Sequence, residues 1–181
     1  MRVISGTARG RRLEEPLGLD TRPTTDRVKE SIFNIIQFEL EGRRVLDLFS
    51  GTGQLGIEAL SRGAAHCTFV DLRREAILLT RKNLERTGFD TQAALVQGDF
   101  QTFLRSTQEK FDVILIDPPY HTDLLEKAMT LISTVDNSSE NGIIVCEKES
   151  SSDWPTISEP YCLEKDYRYG KTGVALYRRR V

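Results

Sequence analysis

The sequence predicts an α/β protein with a mostly parallel, seven-stranded sheet and helices on both faces, and three observations support this. From Arg43 onward, apolar runs of strand length (43–48, 66–71, 92–97, 111–117 and 142–147) alternate with helix-like segments at about 54–62, 73–87, 100–107 and 122–135. Such alternation marks parallel strands joined by helical crossovers. The first strand, Val45-Leu46-Asp47-Leu48, passes through an acid into the turn Phe49-Ser50-Gly51-Thr52-Gly53-Gln54-Leu55-Gly56, after which Ile57, Ala59 and Leu60 continue at helical spacing. At the other end, runs 160–167 and 172–179 are joined by Tyr169-Gly170-Lys171, too short a link for a crossover, so a hairpin makes one terminal strand antiparallel.

The elements before the alternation are simpler. Residues 1–13 vary loosely around Val3, Ile4 and Leu13 with Gly6 and Gly10 between them, which predicts a short β-hairpin arm outside the core, its arginines facing outward. Residues 14–23 carry Pro16, Gly18 and Pro23 and read as a loop. Thr24 or Thr25 offers an N-cap oxygen to an amphipathic helix built on Val28, Ile32, Ile35 and Ile36, which the spacing extends to about Leu40. Residues 136–141 and 149–155 read as polar connections.

With 181 residues, 39% of them hydrophobic, the chain suffices for one well-buried domain and is short for two. No apolar run reaches membrane-spanning or signal-peptide length, so a cytoplasmic protein without membrane association is expected, a monomer being the default. Cys67, Cys146 and Cys162 are widely spaced, without a C-x-x-C, and are expected to be free thiols. With only His66 and His121 to join them, no metal site is expected. The net charge is −2, yet basic residues gather at both ends: Arg2, Arg9, Arg11 and Arg12 precede any acid, and Lys171, Arg178, Arg179 and Arg180 follow the last one, Asp166.

Candidate chemistry lies at the carboxyl ends of the strands, where open α/β sheets bind ligands. Gly51, Gly53 and Gly56 fit G-x-G-x-x-G in the strand-to-helix setting that gives that motif meaning. Asp47 ends the first strand, Asp71 the second, Gly98-Asp99-Phe100 follows the third, and Asp117-Pro118-Pro119-Tyr120 the fourth. Asp71 or Asp99 alone would be read as a helix cap, but four acids at four successive strand ends favour a nucleoside site. In Asp117-Pro118-Pro119-Tyr120 the prolines remove two backbone donors, leaving nearby carbonyls to accept from a ligand. Asp117 can then hold an exocyclic amino group, and Tyr120 offers a face for a base. The bland alternative is a rigid strand exit.

The glycine turn and D-P-P-Y together resemble the S-adenosylmethionine-dependent amino-methyltransferases. Ser5 to Arg11 (SGTARGR), Arg22 to Glu30 (RPTTDRVKE), Gly56 to Gly63 (GIEALSRG) and Arg168-Tyr169-Gly170 narrow the resemblance to the RsmD family, almost end to end. Gln54 departs from the family's pattern, in which a small residue is common, and residues 149–160 match nothing in it. The resemblance implies a Rossmann-like class I methyltransferase fold and transfer of a methyl group from S-adenosylmethionine, leaving S-adenosylhomocysteine. The acceptor would be the exocyclic N2 of a guanine in small-subunit ribosomal RNA, naked or in an assembling 30S particle. It also implies roles. Asp47, Gly51 and Gly53 line the methionine half of the cofactor, with Arg22, Thr24 and Thr25 closing over its amino-acid end. Asp71 holds the ribose, Asp99 and Phe100 meet the adenine, and Phe49 and Leu72 complete the cofactor set. Asp117, Pro118, Pro119 and Tyr120 are the catalytic residues.

Charge clustering with the same resemblance assigns RNA phosphates to Arg2, Arg9, Arg11, Arg12 and Lys171 on an arm of residues 1–20 and near the carboxyl terminus. Arg178 to Arg180 extend that surface if they lie on the Asp117 side. Competing readings are a DNA adenine-N6 or protein-glutamine methyltransferase, a nicotinamide-dependent oxidoreductase, which has no evident proton donor since only His121 is near the rim, and an RNA-binding factor without catalysis.

Overall fold

The computed structural model describes residues 1–16 and 25–180. Its sheet has the order β3-β2-β1-β4-β5-β7-β6, formed by β1 (Arg44–Leu48), β2 (His66–Asp71), β3 (Ala93–Gln97), β4 (Phe111–Ile116), β5 (Ser138–Glu149), β6 (Tyr161–Tyr169) and β7 (Thr172–Arg179). The helices are α1 (Asp26–Ile35), α2 (Gln54–Ser61), α3 (Arg74–Thr87), α4 (Phe100–Ser106) and α5 (Leu124–Val135). Neighbours from β3 through β5 pair in parallel. β7 runs antiparallel to β5 on one side and to β6 on the other, so the expected hairpin inserts its second strand inside its first. Strand order reverses between β1 and β4, the place where open sheets of this kind hold ligands.

Alternation along each strand divides the core between the two faces. Val45, Cys67, Phe69, Val113, Leu115, Ile143 and Val145 pack with Ile32, Phe33, Leu55 and Leu84 on the α1–α3 side. Leu46, Leu48, Val70, Ile114, Ile116, Ile144 and Cys146 pack with Leu104, Leu125, Met129 and Ile132 on the α4–α5 side. Residues 149–160 form a strap over this second face. Trp154 and Ile157 pack against its core, the Tyr177 hydroxyl donates to the Pro155 carbonyl at 2.9 Å, and the Lys148 ammonium stands 4.4 Å from the centre of the Trp154 ring.

Three expectations are corrected. The first helix stops at Ile35, capped at its start by Thr25, and a 3-10 turn follows over Gln37–Glu39. That turn still delivers Ile36 and Leu40 to the core and places Glu39 2.9 Å from Arg178, while Phe38 is left 91% exposed. β5 begins at Ser138, inside the stretch expected to be a connection. A shift of register between Phe111 and Val113 accommodates the extra residues, and Ser139 donates to Asp112 at 2.6 Å.

The third correction concerns residues 1–13, which do belong to the core. One bridge, Arg2 to Arg12, and backbone bonds from Val3 to Arg11 and from Gly10 to Val3 hold the segment in hairpin form. Val3, Ala8 and Leu13 are buried in the same cluster as Ile32 and Phe33. The docking is polar as well. Glu58, 0% exposed, accepts from the amides of Ile4 and Ser5 at 2.8 and 3.0 Å and from Arg62 at 2.8 Å. Lys29, also 0% exposed, lies 3.9 Å from Glu58 and donates to the Arg2 carbonyl. A buried carboxylate is tolerable only with such a complement of donors.

Candidate active site

β1 delivers Asp47 and the glycine turn to the carboxyl edge of the sheet. Asp47, 2% exposed, lies beneath the start of α2 and accepts from the Gly56 amide at 2.9 Å. Burial pushes its carboxyl up to about 7; the nearby Asp71 charge adds to the effect and the Gly56 bond opposes it. The turn is held from behind by α3. Thr80 donates to the Gly51 carbonyl at 3.0 Å, and Asn83 to the Thr52 carbonyl at 2.9 Å. Gly53 sits at φ +77°, and a Cβ there would come 2.7 Å from the Thr80 methyl, so no larger residue fits. Phe49, at φ +75°, adopts the left-handed conformation without being glycine. Such strain gathers at binding sites.

The turn also fits a ligand with polar groups. A Cβ on Gly51 would meet nothing within 4 Å, so the main chain is open to approach. The buried Ser50 Oγ and Gln54 Oε1 lack hydrogen-bond partners among the described residues, and buried polar atoms are rarely left so. α2 has no side-chain cap at Gly53, which leaves amides facing the open side. Gln54 thus contributes one of the unpartnered atoms.

The neighbouring strand ends continue the rim. Asp71 accepts from the Gly51 amide on Oδ2 and from the Arg73 amide on Oδ1, both at 2.9 Å. Arg73 Nε adds a third bond, to Oδ1 at 3.4 Å. A carboxylate has about four acceptor positions, so Oδ2 keeps one for a ribose hydroxyl, and a diol is held when Arg73 Nε swings away. Leu72, beside it, is 67% exposed. Asp99 caps α4 by accepting from the Thr102 amide at 3.0 Å, and its bonds fall on Oδ2. Phe100 is buried with its ring centre 5.0 Å from that of Phe49. Thr25 caps α1 and is exposed; Arg22 and Thr24 lie outside the described residues.

Asp117-Pro118-Pro119-Tyr120 leaves β4 directly beside the glycine turn, because β1 and β4 pair in parallel up to Leu48 and Ile116. The Pro119 carbonyl accepts from the Thr122 hydroxyl at 2.7 Å. The Tyr120 hydroxyl donates to Glu147 at 3.0 Å and lies 3.3 Å from Thr172 Oγ1. Burial pushes its phenol well above the usual range. Sequence reasoning missed Glu147 and Thr172. Val145 pairs with Leu115 and with Leu176, so the residues beyond them come together at the rim, and only the register reveals that.

The basic residues are dispersed. Arg2 and Arg12 lie with Asp26 around an open cleft near the start of α1, and Arg2 pairs with Asp26 at 3.0 Å. Ser5 to Ala8 pack at the carboxyl end of α2 through Ser61, about 12 Å of helix below the glycine turn. Arg11 donates to the Arg86 carbonyl at the end of α3, at 2.6 Å; Arg9 is exposed. Lys171, in the β6–β7 turn, is at the Asp117 edge. Arg178 and Arg179 are at the opposite edge, in ion pairs with Glu39, Glu164 and Asp136. β7 runs away from the rim, so the suggested extension by Arg178 to Arg180 does not hold. His66 also begins its strand far from the rim, and His121 is exposed with Glu149 at 3.5 Å. The three cysteines are free, Cys162 being only partly buried.

The sequence and the fold are similar to those of known proteins. The family described as conserved hypothetical protein 95 matches residues 1–178. YlbH of Bacillus subtilis is 42% identical over 183 residues, covering 99% of this chain and all of that one. Ribosomal RNA small subunit methyltransferase D of Haemophilus influenzae is 36% identical over 181 residues, covering 98% and 93%. Among solved structures, yhhF from Escherichia coli superimposes with a TM-score of 0.88 at 32% identity, covering 100% of this chain and 98% of that one. The chain therefore belongs to the conserved hypothetical protein 95 family, the RsmD family of small-subunit ribosomal RNA methyltransferases.

Proposed function

We infer that this protein is an S-adenosylmethionine-dependent methyltransferase acting on small-subunit ribosomal RNA, and that its acceptor is the exocyclic N2 of a guanine. One observation carries the reading. The glycine turn and the Asp117–Tyr120 turn leave adjacent parallel strands at the reversal point of the sheet, so a methyl donor and an amine acceptor can share one rim. The full-length relatives named for small-subunit ribosomal RNA support the substrate class. The proposal includes the cytoplasm as the place of work, a single chain as the working unit, and residues 1–20 as an RNA-contacting part of one domain. Among the described residues no helix is long and apolar enough to cross a membrane.

When bound, S-adenosylmethionine supplies an electrophilic methyl group on a sulfonium and a neutral thioether leaving group. Asp47 and the Gly51 and Gly53 main chain hold the amino-acid half, helped by Arg22, Thr24 and Thr25. Asp71 grips the ribose hydroxyls through its remaining acceptor positions. The free Oδ1 side of Asp99 takes the adenine amino group, with Leu72, Phe100 and Phe49 forming the apolar wall. At the acceptor side the Pro119 carbonyl is engaged by Thr122, so the amine falls to the Asp117 carboxylate and the Pro118 carbonyl, beside the ring of Tyr120. Accepting from both N–H bonds favours the pyramidal nitrogen, whose lone pair is otherwise delocalised into the base. These bonds strengthen as positive charge develops. The surplus proton then passes to Asp117 or water. Positioning in line does most of the work.

The base must leave its stack to reach this rim, which favours a loop or a partly assembled particle as substrate. Arg9, Arg12 and Lys171 are open to phosphates, while Arg2 would first have to leave Asp26 and Arg11 the end of α3. Replacing Asp117 by Ala tests the reading. Methyl transfer to the transcript should fall by several orders of magnitude while S-adenosylhomocysteine affinity stays within a few-fold. An active Asp117→Ala enzyme would remove this residue from the mechanism. Mass mapping of small-subunit RNA from cells lacking the gene, before and after addition of the purified protein, identifies the modified guanine.

A further inference from the structure

A cleft of about 310 Å3 adjoins the acceptor turn without being lined by it. Thr25, Arg27 and Val28, from the first turn of α1, form one wall, and Arg168, Tyr169 and Thr172, from the β6–β7 hairpin, form the other. Thr172 belongs to both places, because its hydroxyl lies 3.3 Å from the Tyr120 hydroxyl. Whatever occupies the cleft therefore sits one side chain away from the base-receiving residue.

The arginines of the cleft have no carboxylate partner among the described residues. Arg27 and Arg168 are exposed; several other arginines are likewise unpaired, but these two line one cleft. Asp26, next to Arg27, is engaged by Arg2, and Asp166, two residues before Arg168 on β6, makes no ion pair with it among the described residues. Lys171, also unpaired among the described residues, stands next to the hairpin wall. Two guanidinium groups facing one small cleft suit a phosphodiester, whose oxygens match their paired donors. Tyr169 and Val28 add the apolar surface a sugar or base requires, and the volume suits a single nucleotide.

We propose that this cleft is a subsite for the RNA nucleotide adjoining the target guanine, its phosphate held by Arg27 and Arg168. The proposal rests on the RNA methyltransferase reading above. It gives the Arg168-Tyr169-Gly170 motif a task, namely to hold the strand beside the extruded base so that the base stays against Tyr120.

The test uses the full-length protein and an in-vitro transcript of small-subunit ribosomal RNA. Arg27→Ala, Arg168→Ala and Arg168→Lys are compared with the parent for the KM and kcat of methyl transfer, for RNA affinity across a salt series, and for S-adenosylhomocysteine affinity. Each alanine variant should raise the KM for RNA by roughly tenfold and lower the salt slope of binding by about one. kcat at saturating RNA and S-adenosylhomocysteine affinity should not change. Arg168→Lys should restore the salt slope but only part of the affinity, since a point charge replaces a fork. Unchanged KM and slope in both alanine variants would overturn the subsite while leaving the enzyme reading intact. So would loss of S-adenosylhomocysteine binding in Arg27→Ala, which would place that residue at the cofactor. A parent protein that neither binds nor methylates RNA would remove the function and the subsite together.

Discussion

Replacing Asp47 by Asn removes a titrating carboxyl from beneath the glycine turn while keeping its outline and an oxygen that can accept from the Gly56 amide. In the folded protein that carboxyl is pushed from 3.8 up to about 7, burial being the largest cause. The native state therefore holds a proton between about pH 4 and 7 that the unfolded chain releases, and stability falls as pH rises through that window. At about 1.4 kcal/mol per pH unit, the displacement corresponds to about 4 kcal/mol of lost stability above pH 7, as an order of magnitude. The variant has no such group. Its stability relative to the parent should improve by a few kcal/mol from pH 4 to pH 8, with little difference below pH 4.

Cofactor binding should respond in the opposite direction. A cationic ligand above the turn favours the ionised Asp47, so binding of S-adenosylmethionine should release protons near pH 7 and tighten as pH rises through it. Loss of a charge-assisted contact costs roughly 1.5–3 kcal/mol, about 10- to 100-fold in Kd for Asp47→Asn at pH 8. Urea unfolding across the pH series measures the first effect. Titration calorimetry in two buffers of different ionisation enthalpy measures the second. Parallel stability profiles in parent and variant would refute the burial reasoning, and equal affinities at pH 8 would take Asp47 out of the site.

Two structural predictions follow from the same elements. Gly53→Ala combines φ +77° with a methyl 2.7 Å from the Thr80 methyl, so it should cost roughly 1–3 kcal/mol in urea unfolding and weaken S-adenosylhomocysteine binding. Glu58→Ala leaves Lys29 buried without its acid and two amides of the amino-terminal segment without an acceptor. A loss of about 3–5 kcal/mol is expected, together with trypsin cleavage at Arg9, Arg11 or Arg12 well below the melting temperature; resistance equal to the parent's would show that apolar packing alone docks the segment.

Much of this was legible in the sequence because the central strands are apolar, and their alternation with helices is strong enough to survive reading in short windows. The rim acids could be placed for the same reason, since each follows a recognisable strand. What was not legible depends on partners distant in the chain. The amino-terminal segment has only three buried apolar residues, and its acceptors, Glu58 and Ser61, are more than 50 residues away. No local pattern distinguishes such a docked hairpin from a solvated arm. Arg178 and Arg179 misled because their position depends on the direction of β7, and a hairpin that inserts its second strand inside its first reverses the naive expectation. Glu147 reads as one charge in a mixed strand end until the register sets it under Tyr120.

The same register indicates from which side the substrates approach. Asp47 points to the same face as Val45, Asp71 as Phe69, Glu147 as Val145 and Thr172 as Val174, and all four apolar residues belong to the core on the α1–α3 side. Asp47 and Asp71 therefore share one face, as well as one edge, with the residues that fix Tyr120, while Phe49 and Phe100 border the α4–α5 side. The cleft between α1 and the β6–β7 hairpin opens on that face too. The strap of residues 149–160 covers the opposite face through Trp154 and Ile157. The strap thus seals the α4–α5 core away from the site, whereas the amino-terminal segment and the β6–β7 turn border the face on which Asp47, Asp71 and Glu147 stand.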